Sequence, residues 1–207
     1  TPHKSVMPMR RVPLVLILGA FALISCSEPG LSNVAPPGAT ANQVPAVGPA
    51  VPPGGKPATT IVPCENSEQV TFHIHAHLAI YHDGTAVQVP HGIGIGEPQR
   101  LQSTPDGPFV TGGSCFSWLH THTDDGVIHI EAPEPRVFTL GDFFGVWGQP
   151  LSNSQVGSLQ GPVAAYVNGD RFTGDVTEIP LSLHAVIQLN VGSDSPPPQP
   201  YTFANGL

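Results

Sequence analysis

Positive charge is scarce in this chain. Only 7 Lys+Arg stand against 15 Asp+Glu, for a formal net charge of −8. Cations this sparse build no basic patch for a phosphate backbone, which excludes nucleic acid as a partner. Methionine is confined to Met7 and Met9. Everything downstream therefore lacks thioethers, which argues against a Cu(I) site built on them. The apolar run Val12 to Ile24 is too short for a confident transmembrane helix. Ser114 and Ser117 lack the glycine frame of a nucleophile elbow, so a serine triad is not supported. The alternating glycines of His91-Gly92-Ile93-Gly94-Ile95-Gly96 could mimic a phosphate loop. No helix signal and no Lys-Ser/Thr follows them, and they read as an irregular strand with close backbone approach.

Histidine is what the chain has in excess. Its 10 copies outnumber Lys+Arg, and all but His3 lie beyond Thr71. Val70 to Ile80 alternates strictly, with Phe72, Ile74, Ala76, Leu78 and Ile80 on one face and His73, His75 and His77 on the other. Leu119 to Glu131 reads as a hairpin around Asp125-Gly126, because both central positions of a type I′ turn need positive φ. That two-residue loop pairs Asp124 with Val127, His122 with His129 and His120 with Glu131. Opposed side chains share a face. Leu119, Thr121, Thr123, Ile128 and Ile130 are left for the core. A three-residue loop would pair His122 with Ile128 and dissolve the cluster.

The N-terminal segment reads as a signal peptide over residues 1–25, with Arg10-Arg11 ahead of the apolar run. Leu23-Ile24-Ser25-Cys26 resembles the bacterial lipobox, which implies cleavage before Cys26 and a lipid on it. An ordinary signal peptide or an uncleaved anchor is the alternative. Residues 26–60 are rich in Pro and Gly and read as a disordered tether. Residues 61–192 form the His-rich domain, and residues 193–207, with Pro196-Pro197-Pro198, read as a disordered tail. In an exported chain Cys64 and Cys115 are expected to form a disulfide, clamping the two histidine strands at one end. A pair of thiolate ligands is the rival reading.

Elsewhere, His82-Asp83-Gly84-Thr85 and Asn168-Gly169 mark two further hairpins. Glu97 to Gly113 reads as a long polar loop, of the kind that serves as a lid. Trp118 shares the face of His120 and His122, as a wall of the site or as ordinary core. Thr139 to Gly148 reads as a short helix, with Thr139 as N-cap, Asp142 at N3, Gly148 at C′, and Leu140, Phe143, Phe144 and Trp147 as its apolar stripe. His184 starts a last alternating strand that runs to Val191. The fold class is α+β, mainly β: a hairpin-built antiparallel or mixed sheet with one short covering helix.

His73-Ile74-His75-Ala76-His77-Leu78, Leu119-His120-Thr121-His122 with Gly126-Val127-Ile128-His129-Ile130-Glu131, and Phe138 to Gly148 together resemble an uncharacterised family of bacterial exported lipoproteins. The resemblance implies export and a shared histidine-rich site, and supplies no reaction. The cupin metal motif is a weaker comparison, since its Glu lies elsewhere in the motif.

Imidazoles with a carboxylate are the donor set of borderline divalent metals, here copper or zinc. The candidate ligands are His75, His77, His120, His122, His129 and Glu131, with His73 and His184 as possible additions. One ion cannot take them all. Three functions fit: a lipid-anchored metal-binding protein outside the cytoplasm, a metal-dependent hydrolase or oxygen-activating enzyme with Glu131 as ligand or base, or a cell-surface binding module without metal.

Overall fold

The computed structural model describes residues 62–207. The expected signal peptide, Cys26 and the expected tether lie outside the described residues. The strands, in chain order, are β1 (Cys64–Glu65), β2 (Phe72–His82), β3 (Thr85–Val87), β4 (Arg100–Thr104), β5 (Gly107–Gly112), β6 (Phe116–Ser117), β7 (Leu119–His120), β8 (Val127–Ala132), β9 (Leu151–Ser152), β10 (Gln155–Val156), β11 (Leu159–Gln160), β12 (Val163–Val167), β13 (Asp170–Phe172) and β14 (Val186–Val191). Seven of them form one mixed sheet in the order β13-β12-β14-β2-β8-β7, with β3 also on β2. Only the β14–β2 pair is parallel. Among the described residues the fold is mainly β with one α-helix, as the hairpin signals and the single helical stripe predict.

Strand alternation gives the sheet two unlike faces. One carries Ala76, Leu78, Ile80, Ile128, Ile130, Ile187 and Leu189, all at most 3 % exposed. Helix α1 (Leu140–Trp147) joins this core through Leu140, Phe143 and Phe144. Its ends are fixed as the sequence predicts. Thr139 and Asp142 form a reciprocal capping box, and Gly148 closes the helix in the left-handed conformation at φ 70°. The predicted turns at Asp83-Gly84 and Asn168-Gly169 are present, with positive φ at all four residues. The Cys64–Cys115 disulfide is also present, joining β1 to the residue before β6.

The other face carries the histidines of β2 and β8. It is covered where the sequence predicted open loop and loose tail. Residues 97–113 are not an irregular lid. Their core is the β4–β5 hairpin, with Phe109 and Val110 lying against His122. Residues 193–207 are not a frayed tail either. Gln188 and Asn190 are buried polar residues on this face, and each would leave amide groups unsatisfied. The tail supplies their partners. Asn190 Nδ2 donates to the Pro196 carbonyl at 2.9 Å, and the Gln199 N–H donates to Gln188 Oε1 at 2.8 Å. A proline-rich chain suits this task, because it brings carbonyl acceptors without N–H donors of its own.

The β7–β8 register differs from the predicted one by two residues. His120 pairs with His129, and Leu119 with Ile130. The cause lies at Thr121. Its backbone leaves β8 and pairs with residues 92 and 93: Gly92 N–H donates to Thr121 O at 2.8 Å, and Thr121 N–H donates to Ile93 O at 3.0 Å. The Asp125 side chain then accepts from Thr123 Oγ1 and the Val127 N–H, which closes a wider loop than the I′ turn expected. A shift of two keeps every side chain on its own face; a shift of one would have scattered the cluster.

Candidate metal centre

Three adjacent strands make one rung. His75 of β2, His129 of β8 and His120 of β7 are direct cross-strand neighbours. The next rung pairs His73 with Glu131. His122 lies beyond the end of β7 and is placed by β5 instead. Val110 N–H donates to His122 O, His122 Nδ1 donates to Val110 O at 2.6 Å, and the Phe109 ring stacks on the imidazole. Trp118 does not wall the cluster. It packs on the core against Phe138, with the Arg136 guanidinium over its ring.

The ring tautomers follow from the backbone. His120 Nδ1 lies 2.8 Å from the Ser117 carbonyl, and His122 Nδ1 faces that of Val110. Carbonyls only accept, so both Nδ1 atoms carry the proton and both Nε2 atoms present bare lone pairs. Those two Nε2 atoms face each other at 3.1 Å. A proton between them would make one ring cationic in a buried site, which desolvation opposes. Burial pushes His120 down to about 3, against a weaker upward pull from Glu131. A metal cation satisfies both lone pairs at once.

The spacing fits that reading. Two ligand atoms about 2.1 Å from one ion at the tetrahedral angle stand about 3.4 Å apart. Glu131 Oε1 lies 3.8 Å from His120 Nε2 and 3.5 Å from His129 Nδ1, and Glu68 Oε1 lies 3.4 Å from His122 Nε2. The triplets His120/His122/His129 and His73/His75/His129 each bring one ligand atom per residue within 4.8 Å of the others, and either can hold a metal ion. Glu131 is nearly fully buried. Its Oε1 lies 3.1 Å from His73 Nε2, while its Oε2 has no hydrogen-bond partner. A buried carboxylate with a spare oxygen suits a cation. Burial, then the mutual repulsion of neighbouring rings, also lowers His75 and His129 to about 3. His75, His120 and His129 are therefore neutral and ligand-competent well into mild acid.

Two predicted ligands lie elsewhere. Two residues along a strand is about 6.8 Å, and His77 sits that far past the rung of His75. Its Nε2 donates to the Asp125 carbonyl at 3.0 Å, and its ring stacks on Tyr201 at 3.6 Å. His184 is exposed, stacks on Phe203, and donates from Nε2 to the Leu207 carbonyl. Neither belongs to a metal-competent triplet. Glu68 and the carbonyls of Ser117 and Val110 were not foreseen. Glu68 follows Cys64 by four residues, so the expected disulfide was the one signal that could have placed it near the hairpin. Compared with protein-family models, curated proteins and solved structures, the chain matches none.

Proposed function

We propose that this domain binds a divalent transition metal, zinc or copper, and that it does so outside the cytoplasm on a lipid anchor at Cys26. The observation that carries the metal is the pair of facing Nε2 atoms of His120 and His122, each with its other nitrogen committed to a backbone carbonyl. His120, His122 and His129, with Glu131, would hold the ion. Imidazole and carboxylate favour Zn(II) or Cu(II) over Cu(I), because the two cysteines of the domain are tied in a disulfide and it contains no methionine. A bound ion would supply Lewis acidity or, as copper, redox chemistry.

The disulfide and the lipobox-like Leu23-Ile24-Ser25-Cys26 support an exported, anchored protein. Among the described residues no helix is long and apolar enough to cross a membrane. Metal analysis of the chain purified without a histidine tag, followed by calorimetric titration with Zn(II) and Cu(II), tests the metal reading. Dissociation constants below about 10 µM are expected; failure of both ions to bind at that level overturns it. Mass spectrometry for a diacylglycerol at Cys26 tests the anchor.

A further inference from the structure

We propose that the cluster holds two metal ions, one on the His120/His122 side and one on the His73/His75 side, with His129 and Glu131 between them. This rests on the metal-binding reading above. The donors are too many for a single centre: five imidazoles and Glu131 share one patch, whereas an ion such as zinc takes about four ligands. They also divide spatially. His73 and His75 form a metal-competent triplet with His129, His120 and His122 form another, and His129 is the member common to both.

Two placements make His129 and Glu131 the shared groups. His129 occupies the middle strand of its rung, with His75 on one side and His120 on the other. Its Nδ1 lies 3.2 Å from His75 Nε2, while the His122 ring meets it edge-on at 4.6 Å between centroids. An imidazole has two ring nitrogens on different edges, and both can ligate once the N–H proton is given up to solvent. Glu131 Oε1 reaches His73 Nε2 at 3.1 Å and His120 Nε2 at 3.8 Å, so it touches both sets. Its Oε2 is buried without a partner.

The competing account makes the His73/His75 side a support for a single ion. Histidines with a supporting role turn a ring N–H to a carbonyl or carboxylate. His73 could serve so, through Glu131. His75 does not fit: its ring meets neither a carbonyl nor a carboxylate, and its Nε2 lies 3.2 Å from the Nδ1 of His129.

The test is zinc per chain. The full chain carrying Cys26→Ser, so that no free thiol competes, is stripped with chelator, loaded with excess Zn(II), desalted and assayed by elemental analysis. Two ions per chain are expected, falling to one in His75→Ala and to one in His122→Ala. His73→Ala, at an exposed position, serves if His75→Ala fails to fold. One ion in the wild type, unchanged by His75→Ala or His73→Ala, overturns this inference and leaves the metal-binding reading intact. No ion in any variant or in the wild type overturns both. Cu(II) loading separates shared from independent sites. A second equivalent that lowers the electron paramagnetic signal below two spins supports the shared His129; two full, uncoupled spins overturn it.

Discussion

Replacing Glu131 by Gln should move the protein in opposite directions with and without metal. Glu131 is 2 % exposed, and its Oε2 lacks a partner. Gln keeps the shape, can still accept from His73, and still leaves one polar atom unpartnered. What the substitution removes is the charge. Burying a charge without a cationic partner costs more than burying a neutral amide of the same shape. The metal-free variant should therefore be more stable than wild type by about 1 kcal/mol, the scale of one buried polar group's desolvation.

Metal reverses the comparison, because the same charge attracts the cation. Loss of an oriented carboxylate weakens affinity about 10–100-fold. At free zinc near 100 times the wild-type dissociation constant, wild type gains about 2.7 kcal/mol, but the variant only about 0.4–1.4 kcal/mol. Urea unfolding in chelator and in buffered zinc measures both halves. A variant that loses stability in chelator, or gains as much from zinc as wild type, would refute the reasoning.

Further outcomes follow from single contacts. His122→Ala should weaken metal binding on the His120/His122 side by more than about 100-fold, whereas His77→Ala, His82→Ala and His91→Ala should leave it unchanged; isothermal titration of the four variants decides. Metal-free stability should be full above about pH 6.5 and fall as the pH drops towards 3. In that window the unfolded chain binds protons that His75, His120 and His129 refuse when folded, each worth up to about 1.4 kcal/mol per pH unit. A flat stability curve from pH 6.5 to 4 in denaturant titrations contradicts this. Gly94→Ala should destabilise by about 1–3 kcal/mol, because residue 94 has φ +73° and an added Cβ would collide with the Leu119 carbonyl. Thermal unfolding reads it, and an unchanged midpoint refutes it.

The parts legible in the sequence were those fixed by neighbours along the chain. Thr139 and Asp142 cap one helix end across three residues, and Asn168-Gly169 closes a hairpin by its own dihedral preferences. The faces of β2 and β8 were legible because alternation has period two, and this also carried the cluster through the misjudged register. Position along the strand was not legible. Nothing local indicates that Thr121 prefers Gly92 and Ile93 to β8, or that His129 rather than Glu131 shares a rung with His120. His77 stands apart from the triplets for the same reason: it shares their face at another height along β2. The tail looked loose by composition, since proline-rich segments rarely order themselves. Here it is ordered by Gln188 and Asn190, whose unmet amides appear only once β14 is paired on both sides.

The two carbonyls that hold His120 and His122 belong to the main chain, and this sets how the centre can be lost. No exchange of side chain at Ser117 or Val110 deletes an oxygen that every amino acid carries. Drift at those two positions leaves both imidazoles oriented, provided β5 and β6 stay where they are. The centre is thus vulnerable to substitution at the donor residues themselves and to anything that shifts those strands, and is otherwise buffered against sequence change.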